Sequence, residues 1–200
     1  MTREEMLEKL TSDISPEEKR EIGTALLEAD PNSPYGKFAI WESMDYEDEV
    51  ENLDMLREAH AGLRAIVEAK EIPAFADDDV DCIIYCLIMI NLGYALLTLN
   101  ESAEAYEVAK EFTNFDDEGA FPSRTVLYRA MLDLELYDEI LETLESDPVE
   151  TVVGEHARAI AMLETGKDEG EVRDAIIYAI SLSVDVPFFV TGIWEFDDDD

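Results

Sequence analysis

The sequence predicts an all-α protein of successive antiparallel helix hairpins, with no significant sheet. Three observations predict it. Helix start and stop signals follow one another at short intervals along the whole chain. The short apolar runs that could be strands, such as VPFFV at 186–190, have no pairing partner. Leu99, Leu134 and Thr165 each close one helix ahead of a short turn and an acidic-apolar helix. Their separations of 35 and 31 residues bracket the ~34-residue period of a helix-turn-helix repeat.

Residues 3–11 form a short leading helix in this reading. Ser15-Pro16-Glu17-Glu18 starts a second, because serine caps, proline suits the first helical position and Glu18 reaches back. Asp30-Pro31-Asn32-Ser33-Pro34 stops it. Tyr35–Met44 is a third helix. A longer one runs from Asp48 to Lys70 on an apolar stripe that includes Leu53, Leu56, Leu63 and Val67, and ends at Ile72-Pro73. Asp77, Asp78, Asp79 and Asp81 then gather where carboxylates complement a positive helix end. The helix they open, Val80–Leu99, includes an uncharged run of 19 residues from Cys82 to Asn100. Helices over Glu101–Thr113, Pro122–Leu134 and Tyr137–Glu145 follow. Asp147-Pro148-Val149-Glu150 reads as the start of a helix to Thr165, ended by Gly166. Glu169–Ser183 and a short helix from Pro187 through Trp194 precede the tail FDDDD.

The chain has 200 residues, enough for one domain with a sizeable core. Fifty acids against fourteen bases leave a net charge of −36. Such a surface repels nucleic-acid backbones and anionic membranes, and attracts basic partners. The N-terminal MTREEMLEKL lacks an apolar signal core, so a cytoplasmic location is the expectation. The uncharged run has the length of a membrane span, but acids flank it and no Lys or Arg lies near to orient it. A buried core helix is the expected identity. Cys82 and Cys86, one turn apart with no third ligand near, are expected to be core thiols rather than a metal or redox pair.

Asn91-Leu92-Gly93, Ala95, Leu99 and Glu104-Ala105 resemble the tetratricopeptide repeat motif without a gap. The resemblance implies a superhelix of hairpins, with Gly93 allowing the two helices of one hairpin to approach and Ala105 filling the adjoining position. It extends over most of Ile22–Pro187. Phe112 and Asp117 depart from the motif's usual alanine and proline, and Tyr128 stands where the second copy would have its close-packing glycine. The implied organisation is one helical-repeat domain over 1–200. It comprises a capping helix over 15–34, an irregular hairpin over 35–72, and repeat hairpins over 77–115, 120–147 and 148–187. A C-terminal helix and acidic tail occupy 188–200. The C-terminal half, through NFDDEG, YDEILETL, HARAIAMLETG and VPFFVTG, is also similar to bacterial relatives of the suppressor of tumorigenicity family, into which this chain inserts AFPSR.

In such a superhelix the first helix of each hairpin lines a concave groove. The resemblance therefore implies a partner-binding groove at Ile90, Tyr94, Leu97, Arg129, His156 and Ile160. His60, near Arg57 and Arg64 on its helix, is expected to be exposed. The chain has no glycine-rich phosphate loop, no GxSxG and no HExxH, and Asp77–Asp81 lacks the glycine and distal glutamate of a calcium loop. Neither a catalytic residue, a metal site nor a cofactor is expected. The expected function is a non-enzymatic scaffold for a protein or peptide partner, basic or apolar. Two alternatives remain open: a small-molecule enzyme or regulator built around Arg129 and His156, and an acidic mimic of nucleic acid.

Overall fold

A computed structural model of the chain describes residues 1–45 and 51–183. Among these, ten α-helices and no strand are present. They are α1 (Arg3–Leu10), α2 (Pro16–Ala29), α3 (Pro34–Trp41), α4 (Leu53–Ala69), α5 (Val80–Thr98), α6 (Ser102–Phe115), α7 (Ser123–Asp133), α8 (Tyr137–Ser146), α9 (Val152–Glu164) and α10 (Glu169–Leu182). The protein is therefore all-α. The expected helix start at Asp48 and the helix Pro187–Trp194 lie outside the described residues.

The chain forms two compact units, Met1–Val126 and Leu127–Asp200, and the division falls within α7. In the first, α2 packs on α3, α3 on α4, α4 on α5 and α5 on α6. In the second, α8 packs on α9 and α9 on α10.

Caps account for many helix starts. Ser15 and Glu18 form the expected reciprocal capping box of α2, and Thr2 with Glu5 forms another on α1. Asp79 caps α5 by accepting from the backbone N–H groups of Asp81 and Cys82. Lys70 Nζ reaches Asp79 at 2.6 Å and Asp81 at 2.7 Å, so these two acids also tether the end of α4 to the start of α5. One expected start differs. Residues 147–151 are not helical, and α9 begins at Val152 under a Thr151 cap donated to by Gly154 N–H. Asp147 instead accepts from Val149 N–H two residues on, a local turn that competes with helix initiation.

The expected rhythm appears as a turn made three times. Asn100, Glu135 and Gly166 follow Leu99, Leu134 and Thr165 in left-handed conformation, with φ of 58°, 58° and 68°. Each turn carries the same two backbone bonds, Asn100 N→Leu97 O with Glu101 N→Leu96 O in the first. Glu135 with Leu136, and Gly166 with Lys167, repeat that pair. This arrangement satisfies carbonyls that a helix end leaves open. Only the third turn uses glycine; Glu135 takes a backbone costing roughly 1–2 kcal/mol for a residue with a Cβ.

α5 is the core helix of the first unit. It is long and apolar enough to cross a bilayer, yet half of its most apolar window is buried inside the fold (50%). Cys82, Ile84, Cys86, Ile88 and Met89 are fully buried. Both cysteines are free, and burial pushes their thiols up, so neither is a ready nucleophile. Gly93 acts differently from expectation. A Cβ there would lie 2.6 Å from Val126 Cγ1, so the close approach it allows is to α7. Tyr128 is likewise accommodated across its packing partner: it is fully buried, and a Cβ on Gly154 would meet its ring at 3.1 Å.

The segment AFPSR, residues 120–124, builds a buried polar hub with Asp116. Asp116, 1% exposed, accepts from Ala120 N–H at 2.7 Å, from Phe121 N–H and from Ser123 Oγ at 2.7 Å. Arg124 is also buried. Its guanidinium donates to the backbone carbonyls of Asp116 at 2.6 Å and Asp117 at 3.0 Å. Phe121 packs against Phe75 and Phe112. The segment thus links the end of α6 to the start of α7 through this hub, and Phe112 is fully buried beside it.

Candidate functional site

The six expected groove residues fall into two sets. Ile90, Tyr94 and Leu97 lie in the first unit, spaced four and three residues apart along one face of α5. Ile90 and Leu97 are half-buried, and Tyr94 is 42% exposed. Arg129, His156 and Ile160 lie in the second unit. Arg129 is exposed on α7, and its Nε donates to Asp133 Oδ1 one turn on at 3.0 Å. His156 is half-buried; its Nε2 has no hydrogen-bond partner, and burial lowers its pKa. Ile160 is 43% exposed.

His156 and Ile160 belong to a longer stripe. Val152, His156, Ile160 and Leu163 are spaced at four, four and three residues, which places them on one side of α9. Val152, Ile160 and Leu163 are all exposed, Leu163 by 60%. The opposite side of the helix buries Gly154, Ala157 and Ala161, small residues that let neighbouring helices come close.

A concave feature that the sequence reading missed lies wholly in the first unit, between α4 and α6. It encloses about 680 Å³. α4 contributes His60, Arg64 and Glu68 at successive i, i+4 positions, and α6 contributes Glu104, Glu107 and Glu111 at i, i+3 and i+7. Both sets follow from helical spacing. Tyr85 from α5 forms part of the lining, and Val67, Ile72, Pro73 and Val108 supply apolar walls.

His60 departs from its expected exposure. Its side chain is only 13% exposed, because its ring stacks on that of Tyr85 with centroids 5.6 Å apart. Tyr85 is held in turn edge-on by Phe115. His60 Nε2 lies 3.5 Å from Glu111 Oε1, outside hydrogen-bond geometry. The Tyr85 hydroxyl donates to Glu111. Arg64 Nη1 approaches the other carboxylate oxygen at 3.2 Å. Burial by itself raises the pKa of Glu111. The neighbouring imidazole, phenol and guanidinium outweigh it and hold Glu111 below the usual carboxylate range. Tyr85 shifts upward, through burial first and then through its bond to Glu111.

Arg57 pairs with Glu104, one of the lining residues. Its guanidinium spans Asp54 at 3.0 Å, Glu101 at 2.5 Å and Glu104 at 2.6 Å. Lys110 lies over the Tyr106 ring at 4.8 Å. The signal that could have found the groove was the recurrence of ionisable residues at helical spacing along α4, at 57, 60, 64 and 68, in an otherwise acid-rich chain. Which helix faces them is set by the packing.

Compared with protein-family models, curated proteins and solved structures, the chain has no match in any of the three.

Proposed function

We propose that the protein is a non-enzymatic binding module: an array of tetratricopeptide-like hairpins that takes up a basic or apolar segment of a protein partner, in a cytoplasmic setting. The observation that carries this reading is the stripe on α9. Val152, Ile160 and Leu163 present apolar surface to solvent at helical spacing, with His156 set among them. Fully burying a Leu or Ile is worth about 1.5–3 kcal/mol, and covering Ile160 and Leu163, 43% and 60% exposed, would yield roughly half of that each. The surplus of 36 negative charges would speed the arrival of basic segments and bias the choice among partners. The turn repeated after Leu99, Leu134 and Thr165 supports an array of similar hairpins. The reading as an enzyme or regulator around Arg129 and His156 has less behind it. Arg129 is spent on Asp133, and His156 has apolar neighbours along its stripe.

The test uses a basic and an acidic amphipathic peptide of matched apolar content, followed by fluorescence anisotropy. The basic peptide should bind and the acidic one should not. Raising NaCl from about 50 mM to about 500 mM should weaken binding, since that compresses the range of charge attraction. Ile160→Asp should cost about tenfold or more in affinity, the scale of one buried apolar anchor. Equal binding of both peptides, or indifference to Ile160→Asp, overturns the reading.

A further inference from the structure

We propose that the groove between α4 and α6 seats a lysine or arginine side chain of the partner peptide. This rests on the binding-module reading and adds where the basic side chain is held.

The groove has what a long cationic side chain requires. Such a side chain has an aliphatic stem and a charged head, and is stable where the stem lies on apolar surface and the head meets a carboxylate. Val67, Ile72, Pro73 and Val108 provide the apolar surface. Glu107 and Glu111, one turn apart on α6, provide the carboxylates. The lining holds four glutamates, Glu68, Glu104, Glu107 and Glu111, against two bases, Arg64 and Lys110, a surplus of two negative charges. Arg57 is already engaged with Glu104. Lys110 is turned onto Tyr106. Glu107 has no ion pair among the described residues, and it sits within one turn of both Glu104 and Glu111. Like charges at that spacing repel, which an incoming cation would relieve.

Glu111 is the stronger contact. It is partly shielded from water, its side chain being 23% exposed, yet it keeps its charge against the pull of burial. A shielded carboxylate attracts a cation more strongly than one in bulk water. His60 and Tyr85 brace it from one side by stacking on each other, so it is already positioned before any ligand arrives. Arg64 is bound to both Glu68 and Glu111 and is 52% exposed, so it can swing aside at small cost. An anion would have to enter against both the local surplus and the −36 of the chain.

The chain has only two histidines, and one reports on the groove while the other lies on α9. The experiment therefore follows both imidazole signals by NMR while adding Nα-acetyl-lysine methylamide, its arginine counterpart, or the uncharged norleucine isostere. The two charged probes should shift the His60 ring saturably and leave His156 still, and norleucine should shift neither ring. Glu107→Gln and Glu111→Gln should each weaken the probes at least about threefold, the scale of one exposed or half-exposed ion pair. Glu107 is exposed, so its variant keeps the fold intact. Ile160→Asp should leave probe binding unchanged. Saturable shifts by norleucine, no shift at His60, or full affinity in Glu107→Gln and Glu111→Gln overturn the assignment. In those cases the peptide test on α9 still stands or falls by itself. Spermidine filling the groove well below the concentration at which a lysine-containing basic peptide does so also overturns it, in favour of a free polyamine.

Discussion

Asp116 shows how much one side chain carries. It is buried, and four described donors converge on its carboxylate or its carbonyl: two backbone N–H groups, Ser123 Oγ and the Arg124 guanidinium. Burying a carboxylate is tolerable only when it is so completely bonded. Asp116→Ala would remove the acceptor of two backbone N–H groups and of the Ser123 hydroxyl, and the carboxylate 3.9 Å from the Arg124 guanidinium, whose bonds to backbone carbonyls would remain. The expected loss is about 3–5 kcal/mol in urea unfolding, the usual cost of breaking a buried charged network from one side. The exposed neighbour Glu118, changed to Ala, should cost less than about 0.5 kcal/mol. Similar losses for the two would show that the hub contributes no more than surface. His60 makes a related point at the same scale. A histidine among arginines on a charged helix reads as solvated, and here a tyrosine from another helix covers it.

Among the elements, α5 and its glycine decide how closely helices pass. A methyl group on Gly93 would reach within 2.6 Å of Val126 Cγ1, closer than carbon atoms tolerate. Gly93→Leu should therefore prevent folding or cost more than about 3 kcal/mol, the upper range for overpacking a tight core. Gly93→Ala should be milder, because alanine favours the helix by about 1 kcal/mol and offsets part of the clash. Combining Gly93→Ala with Val126→Ala should recover most of that loss in thermal unfolding. A double variant as unstable as the sum of its singles would place the constraint elsewhere than in the Gly93–Val126 contact. The three matching turns belong to this scale too. Their backbone bonds are the same, although their left-handed residues are Asn100, Glu135 and Gly166. Turn geometry here follows from ending a helix and starting another, and glycine only makes it cheaper.

Across the whole molecule, charge dominates. At least ten of the fourteen bases have a carboxylate partner within 4.0 Å, from Lys9–Glu18 to Arg173–Asp174, and the surplus acids remain. Self-repulsion of this size opposes the compact state, and salt screens it. Surface ion pairs also weaken in salt, but each is worth little. The repulsion should win, so raising NaCl from about 20 mM to about 500 mM should lift the thermal midpoint by roughly 5 °C. A midpoint that falls with salt would mean that the ion pairs contribute more than the repulsion removes.

Legible in the residues alone are the all-α class, most of the helix starts to within a few residues, the burial of the uncharged helix and its thiols, and the place of the recurring turn. These are set by local chemistry: serine and aspartate caps, proline positions, apolar spacing and a charge-free run. The start of α9 is the exception, because the turn that Asp147 makes with Val149 outcompetes a proline-led helix. The remainder depends on which helix meets which. Gly93 makes room for α7 rather than for its hairpin partner, Tyr128 finds its space at Gly154, and AFPSR closes on Asp116. The groove of His60, Tyr85 and Glu111 draws on α4, α5 and α6, whose side chains are up to 51 residues apart in sequence. Helical periodicity says which side chains share a face. It does not say what the face touches, because that is chosen by packing volume and charge pairing across the fold.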